Sequence, residues 1–132
     1  RADVLYARGI LSSILLARGN ALEARDVAAL GVRELEESRS QGVYAVSIRL
    51  ALAEACLGLG EDARAEAALR AALRCVWARA RDIPDPGARE RFLLHIAENA
   101  RTLALARERW GEPGLQAERA AWEDDVAGTG QA

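Results

Sequence analysis

The 132-residue chain has no methionine and no lysine, a single histidine, one phenylalanine, three prolines and two cysteines. Each shortage excludes something. With His95 as the sole histidine, neither a histidine-based metal cluster nor a Cys–His pair has the members it needs, and no metal is expected. Six aromatic residues leave the core to Ala, Leu, Val and Ile, which suits closely packed helices rather than a β-sandwich. Cys56 and Cys75 both fall in apolar helical patterns and read as buried small side chains, and a chain of this size needs no disulfide. Arginine or glutamate interrupts every apolar run well short of about 18 residues, so no signal peptide or spanning helix is expected. All eighteen basic residues are arginine, and against twenty acids they leave a net charge of −2, which gives no general attraction to nucleic acid or to an anionic membrane. The expected location is the cytoplasm.

What is present is helical periodicity. The clearest stretch is Leu50 to Leu73, LALAEACLGLGEDARAEAALRAAL. Leu52, Ala53, Cys56 and Leu59 precede a turn at Gly60-Glu61-Asp62, and Ala65, Ala68, Leu69, Ala72 and Leu73 follow it, each set forming the apolar stripe of a helix. The alanines let the two helices approach to the short end of the usual range of about 8–10 Å. This is a helical hairpin, and the sequence predicts two more.

Helix 1 is expected from Ala2 to Arg18, with Asp3 in its first turn and Val4, Leu5, Ile10, Leu11, Ile14 and Leu15 inward. Gly9 inside it implies close packing. After Gly19-Asn20, helix 2 takes Ala21 to Ser38, with Leu22, Val27, Ala28, Leu30 and Leu35 inward and Glu34, Glu36 and Glu37 outward. Ser40-Gln41-Gly42 breaks the chain. Helix 3 then runs from Val43 to Leu59 and helix 4 from Asp62 to Asp82, the latter with a solvated outer stripe of Arg64, Arg70, Arg74, Arg79 and Arg81. Across Ile83 to Gly87, Asp85 can cap a fifth helix with Pro86 at its first position. That helix continues through Phe92, Ile96, Ala100, Leu103 and Trp110, with Asn99 as its one candidate break. Gly111-Glu112-Pro113-Gly114 turns the chain into helix 6, Leu115 to Val126, with Ala117, Ala121 and Trp122 inward. The fold class is therefore all-α, an α-solenoid of about six helices. Its hairpins cover 2–40, 43–83 and 86–126, and 127–132 forms a disordered tail. The chain starts without methionine and ends in small polar residues, as a piece of a longer polypeptide would.

The turn glycines Gly19, Gly60 and Gly111 stand 41 and 51 residues apart, and an alanine follows each by five or six residues: Ala24, Ala65 and Ala117. A repeated helix–turn–helix unit marks an α-solenoid. In the second unit Leu52, Ala53, Gly60, Ala65, Leu69 and Ala72 resemble the signature positions of the tetratricopeptide repeat. In the first, Leu11, Ser12, Leu15, Gly19, Ala24, Ala28 and Gly31 occupy the same places. The third unit is shifted by one residue at Gly114. The units are longer than the family norm, and Glu36 and Trp77 stand where the family closes with proline. The runs Arg89 to Leu93 and Glu98 to Arg107 also resemble a segment in the helical-repeat regions of large bacterial signalling proteins. Those proteins carry an amino-terminal serine/threonine kinase or ATPase domain. A proline often precedes the Glu-Asn pair there, and Ala97 takes its place here, so helix 5 is free to run through.

No catalytic constellation converges. Acidic pairs such as Glu36-Glu37 and Asp124-Asp125 point to different helix faces, and no Gly-rich loop follows a strand, so neither a nucleotide nor another cofactor is expected in this segment. The remaining candidate is a surface. In the repeat family the first helix of each unit lines a concave groove. The resemblance assigns to it Tyr6, Gly9, Ser13 and Leu16 of the first unit, Ser47, Leu50, Glu54 and Leu57 of the second, and Glu98, Arg101, Leu105 and Arg109 of the third. The expected partner is a protein or peptide, or neighbouring repeats of the parent chain, with self-association through exposed repeat ends. The expected function is a non-catalytic interaction module of a larger signalling protein. The alternative is a stand-alone helical bundle that binds a small molecule or dimerises as a regulator.

Overall fold

In the computed structural model the described residues are 2–38 and 44–128. They form six helices and no strand: α1 (Ala2–Ala17), α2 (Ala21–Ser38), α3 (Ala45–Gly58), α4 (Asp62–Arg81), α5 (Pro86–His95) and α6 (Ala97–Gly128). The expected break at Ser40-Gln41-Gly42, the helix start at Val43, the side chain of Asp3 and the tail from Thr129 to Ala132 lie outside the described residues. None of these helices is long and apolar enough to cross a membrane.

α3 touches α1, α2, α4 and α6, which is why it is buried around most of its circumference and why that circumference is alanine-rich. The larger core cluster joins α3, α4 and α6 through Leu50, Leu69, Leu73, Trp77, Leu103, Leu115 and Trp122. A smaller one joins Leu5 of α1, Leu35 of α2 and Ala45 and Ile48 of α3. Ala65, Ala68, Leu69, Ala72 and Leu73, the expected inward stripe of α4, are all buried.

The turns repeat in detail. Gly19 and Gly60 both have positive φ, at 83° and 73°. After α1, Asn20 N donates to Leu15 O and Gly19 N to Leu16 O, and after α3, Glu61 N donates to Cys56 O and Gly60 N to Leu57 O. Each is a paired helix-ending motif that satisfies two orphaned carbonyls. All four positions coincide under one 41-residue shift. At the third site Gly111 has φ 72° and divides α6 into arms 97–110 and 112–128.

The fifth expected helix is not continuous. Ile96 is extended (φ −86°, ψ 119°), so the stretch becomes α5 and the first arm of α6, while the sixth expected helix is the second arm. Asn99 does mark the break: its side chain is buried and Nδ2 donates to Phe92 O at 2.9 Å, occupying a carbonyl that the interrupted ladder leaves free. Asp85 caps α5 by accepting from Ala88 N at 2.8 Å, with Pro86 in the first turn as expected. Ala127 and Gly128 continue α6 rather than starting a tail.

Several residues expected inward face out: Val4, Ile10, Leu11 and Ile14 of α1, Leu22 and Leu30 of α2, Ile96, and Ala117 and Ala121 of α6. Ser12 is buried in their stead, its hydroxyl donating to Ala24 O at 2.9 Å. α1 packs only on α2 and α3, and α2 only on α1 and α3, so part of each apolar stripe stays open. Gly9 has nothing within 4 Å of where a Cβ would stand, so it reflects no close contact; that role belongs to Gly31, whose Cβ would meet Ile48 at 2.7 Å. The arginines of α4 keep much of their length in solvent, as expected, but three of them also reach α6. Arg70 donates to Glu118 and lies over the Trp110 ring, Arg74 donates to Asp125, and Arg81 covers Trp122, so this face seats the second arm of α6.

Candidate functional site

A cleft of about 330 Å³ opens between α1, α3 and the first arm of α6. Of the positions assigned to a groove, Tyr6, Gly9, Ser13, Ser47, Leu50, Glu54 and Glu98 line it together. Leu5, Ile10, Ile14 and Ala51 line it as well and were not assigned. The signal for the two isoleucines was available: α1 has apolar residues on more faces than one neighbour can cover.

The polar side of the cleft is internally bonded. Ser47 Oγ donates to Glu98 Oε2 at 3.0 Å, which ties α3 to α6. Arg101 Nε donates to Glu54 Oε2 at 3.0 Å and Arg101 Nη1 to Glu108 Oε2 at 3.1 Å. The bond to Glu54, against some desolvation, pushes the Arg101 guanidinium further up, so it stays charged at the rim. Tyr6 stacks at a tilt on Tyr44 with ring centroids 5.2 Å apart, closing the other end. The result is an apolar trough of Leu5, Ile10, Ile14 and Leu50 beside two carboxylates, Glu54 and Glu98.

Four assigned positions lie elsewhere. Leu105 is 3% exposed and belongs to the core with Leu103 and Ala106. Arg109 turns toward α4, donating to Glu66 Oε2 at 3.0 Å. Leu57 packs on the larger core cluster, and Leu16 lies against Gly58 and the α2 start. Glu98 and Arg101 of the same unit reach the cleft, whereas Leu105 and Arg109, one and two turns further on, turn toward the core and toward α4.

A larger hollow, about 820 Å³, lies between the end of α4, α5 and the end of α6, against Trp77 and Trp122. Its arginines are already engaged. Arg81 lies over the Trp122 ring, Arg89 donates twice to Ile83 O at 2.7 and 3.0 Å, and Arg119 pairs with Glu123 at 3.6 Å. The smaller cleft, which gathers seven of the assigned positions beside the exposed Ile10 and Ile14, is the candidate site.

Neither cysteine is an activated nucleophile. Both are free; Cys56 is buried, whereas Cys75, expected buried, is half-buried. Burial pushes both thiols up, in Cys75 against the opposing pull of Arg49 and Arg79, so at neutral pH both are protonated. His95 is exposed at the end of α5. Among the described residues no three His, Cys, Asp or Glu side chains come together as a metal site. In comparisons with known proteins, the chain matches no family, no curated protein and no solved structure.

Proposed function

We propose that the chain is a non-catalytic protein-interaction module, a tetratricopeptide-like array of helical hairpins whose concave side takes a peptide or helix. The observation that carries this reading is the side-by-side order of α1, α3 and the first arm of α6 around one cleft. Tyr6 meets Tyr44 near the starts of α1 and α3, and Leu16 meets Gly58 at their ends, so these helices run in the same direction. Ser47–Glu98 and Glu54–Arg101 give the same sense for α3 and α6. Arg8 bonds Glu34 while Ser12 bonds Ala24, so α1 and α2 run oppositely. That is the order of first and second helices in stacked hairpins, and the 41-residue repetition of the turn hydrogen bonds supports it further.

The chemistry of the cleft selects the partner. An apolar trough flanked by Glu54 and Glu98 fits an amphipathic segment that inserts aliphatic side chains and sets an arginine or lysine against the carboxylates. A regulatory role within a larger kinase- or ATPase-bearing signalling protein rests on the sequence resemblance of residues 89–107 alone.

Selection from a displayed peptide library tests the reading. Enriched peptides should combine apolar residues at helical spacing with a basic residue. Binding should weaken by about tenfold or more in Glu54→Arg combined with Arg101→Glu, which keeps an ion pair but inverts its orientation. Peptides whose affinity is unchanged by that pair, or no enrichment at all, would move the function away from this cleft.

A further inference from the structure

The larger hollow, between the end of α4, α5 and the end of α6, shares no lining residue with the cleft between α1, α3 and α6. It stays open because α5 buries no residue and so leaves the space beside Trp77 and Trp122 unfilled. Its apolar wall is those two indoles, with centroids 5.7 Å apart, together with Ala80, Leu93 and Val126. Its charged wall is Arg81, Arg89, Arg119 and Glu123. That is a local excess of positive charge in a chain whose net charge is −2.

The groups that engage Arg81 and Arg89 are neutral, so both charges stay uncompensated. Many arginines of this molecule meet a carboxylate instead, as in Arg8–Glu34, Arg25–Glu61, Arg70–Glu118 and Arg101–Glu54. Arg81 has the ring face of Trp122, at 5.5 Å. Arg89 has carbonyls: Nε and Nη2 both donate to Ile83 O, and Nη2 also reaches Pro84 O. Those bonds pin the Arg89 guanidinium to the turn between α4 and α5. They leave its Nη1 unused among the described residues. A group held in place before a ligand arrives loses little freedom on binding. Arg119 pairs with Glu123 at 3.6 Å, both side chains about half exposed. Glu123 opposes a second negative charge in the hollow, which favours a monoanion.

We infer that this hollow binds an organic monoanion, a carboxylate on an apolar body. The head pairs with Arg81 and Arg89, and the body lies on Trp77, Trp122, Leu93 and Val126. A guanidinium fork matches a carboxylate with two parallel bonds, and beside indole walls such bonds are less screened than in open water. The volume of about 820 Å³ falls within the range of about 300–1,000 Å³ usual for small-molecule sites. A ligand there touches α4, α5 and the second arm of α6 at once, so it ties two segments that bury little to the central hairpin. The site stands whether or not the cleft takes a peptide.

Titration with naphthoate, followed by NMR of the isotope-labelled chain, tests the site. The indole N–H signals of Trp77 and Trp122 should shift, and that of Trp110, outside the hollow, should not. Naphthamide, the same body without the charge, should bind at least about tenfold more weakly. Arg81 is exposed, so Arg81→Gln should keep the wild-type helical circular dichroism. It should lose about tenfold in affinity for naphthoate and bind naphthamide as wild type does. With naphthoate at about ten times its Kd, amide exchange in α5 and residues 112–128 should slow about elevenfold. The Glu54→Arg, Arg101→Glu variant should bind naphthoate as wild type does, so failure of the cleft and failure of this hollow are read separately. No shift up to about 10 mM naphthoate, well beyond weak binding, overturns the inference. So do equal affinities for naphthoate and naphthamide, shifts confined to Trp110, tighter binding of naphthyl phosphate than of naphthoate, or an Arg81→Gln variant with unchanged affinity for naphthoate.

Discussion

Two helical glycines show how much a single Cβ decides. Gly31 lies under the fully buried Ile48, and a methyl there would stand 2.7 Å from two of its carbons. Alanine at position 31 gains about 1 kcal/mol of helix propensity but overpacks a contact that has nowhere to move, at about 1–3 kcal/mol. Gly31→Ala should therefore lower the melting temperature. Gly9 is open around its missing Cβ, so Gly9→Ala should be stabilising by up to about 1 kcal/mol while narrowing the cleft it lines. Paired thermal melts check both signs, and equal shifts in one direction would mean the contacts of α1 and α2 are misdrawn. Ala65 makes a second pair with its neighbour. It is 2% exposed in the α3–α4 hairpin, whereas Arg64 reaches solvent with one 3.4 Å contact to Glu61. Ala65→Leu should cost about 1–3 kcal/mol, and Arg64→Leu should stay within about 0.5 kcal/mol of wild type. The opposite order in denaturant unfolding would place the wrong face of α4 inward.

At the scale of the element, what was legible is what leaves a local mark. A helix that ends in a left-handed residue is written as glycine, so Gly19, Gly60 and Gly111 located all three turns. A proline preceded by a capping aspartate located the start of α5. The interruption at Ile96 leaves no such mark, because isoleucine takes extended backbone without strain and Ala97 restarts the helix readily. Its one trace is Asn99, a polar residue in an apolar stripe, there because a freed carbonyl needs a donor. Asn99→Ala should leave the Phe92 carbonyl without its partner and cost about 1–3 kcal/mol. Much of that loss should appear locally, as faster amide exchange in α5. Exchange in α5 identical to wild type would show that the hydrogen bond does not hold the break.

For the whole molecule, periodicity disclosed which residues belong to helices and, for α3 and α4, which face is covered, because those helices have neighbours on several sides. It could not disclose which apolar faces find a neighbour. Ile10 and Ile14 read as core because a sequence carries the same apolar stripe whether or not a neighbour arrives to cover it, and the exposed Arg70–Arg74–Arg81 row gave no sign of its partners, Glu118, Asp125 and Trp122, because they lie some 40 to 50 positions later. That row has a consequence for how the molecule opens. The second arm of α6 buries Leu115 and Trp122, adds the partly buried Val126 and otherwise rests on α4 through largely exposed ion pairs, and α5 buries no residue at all. Exposed pairs contribute only about 0–1 kcal/mol each and weaken with salt. α3 and α4, by contrast, bury eight residues each. Native-state hydrogen exchange should therefore show α5 and residues 112–128 opening well before α3 and α4, because local stability follows buried apolar contact. Trp122 stacks on Trp77 at 5.7 Å and also lies under Arg81, so it is the main apolar tie of the arm. Trp122→Ala should cost about 3–5 kcal/mol for the loss of a buried tryptophan, and raising the salt should then release the arm further while α3 and α4 keep their protection. A single opening transition shared by all six helices, unchanged in its order by Trp122→Ala, would show that the arm is as firmly built in as the central hairpin.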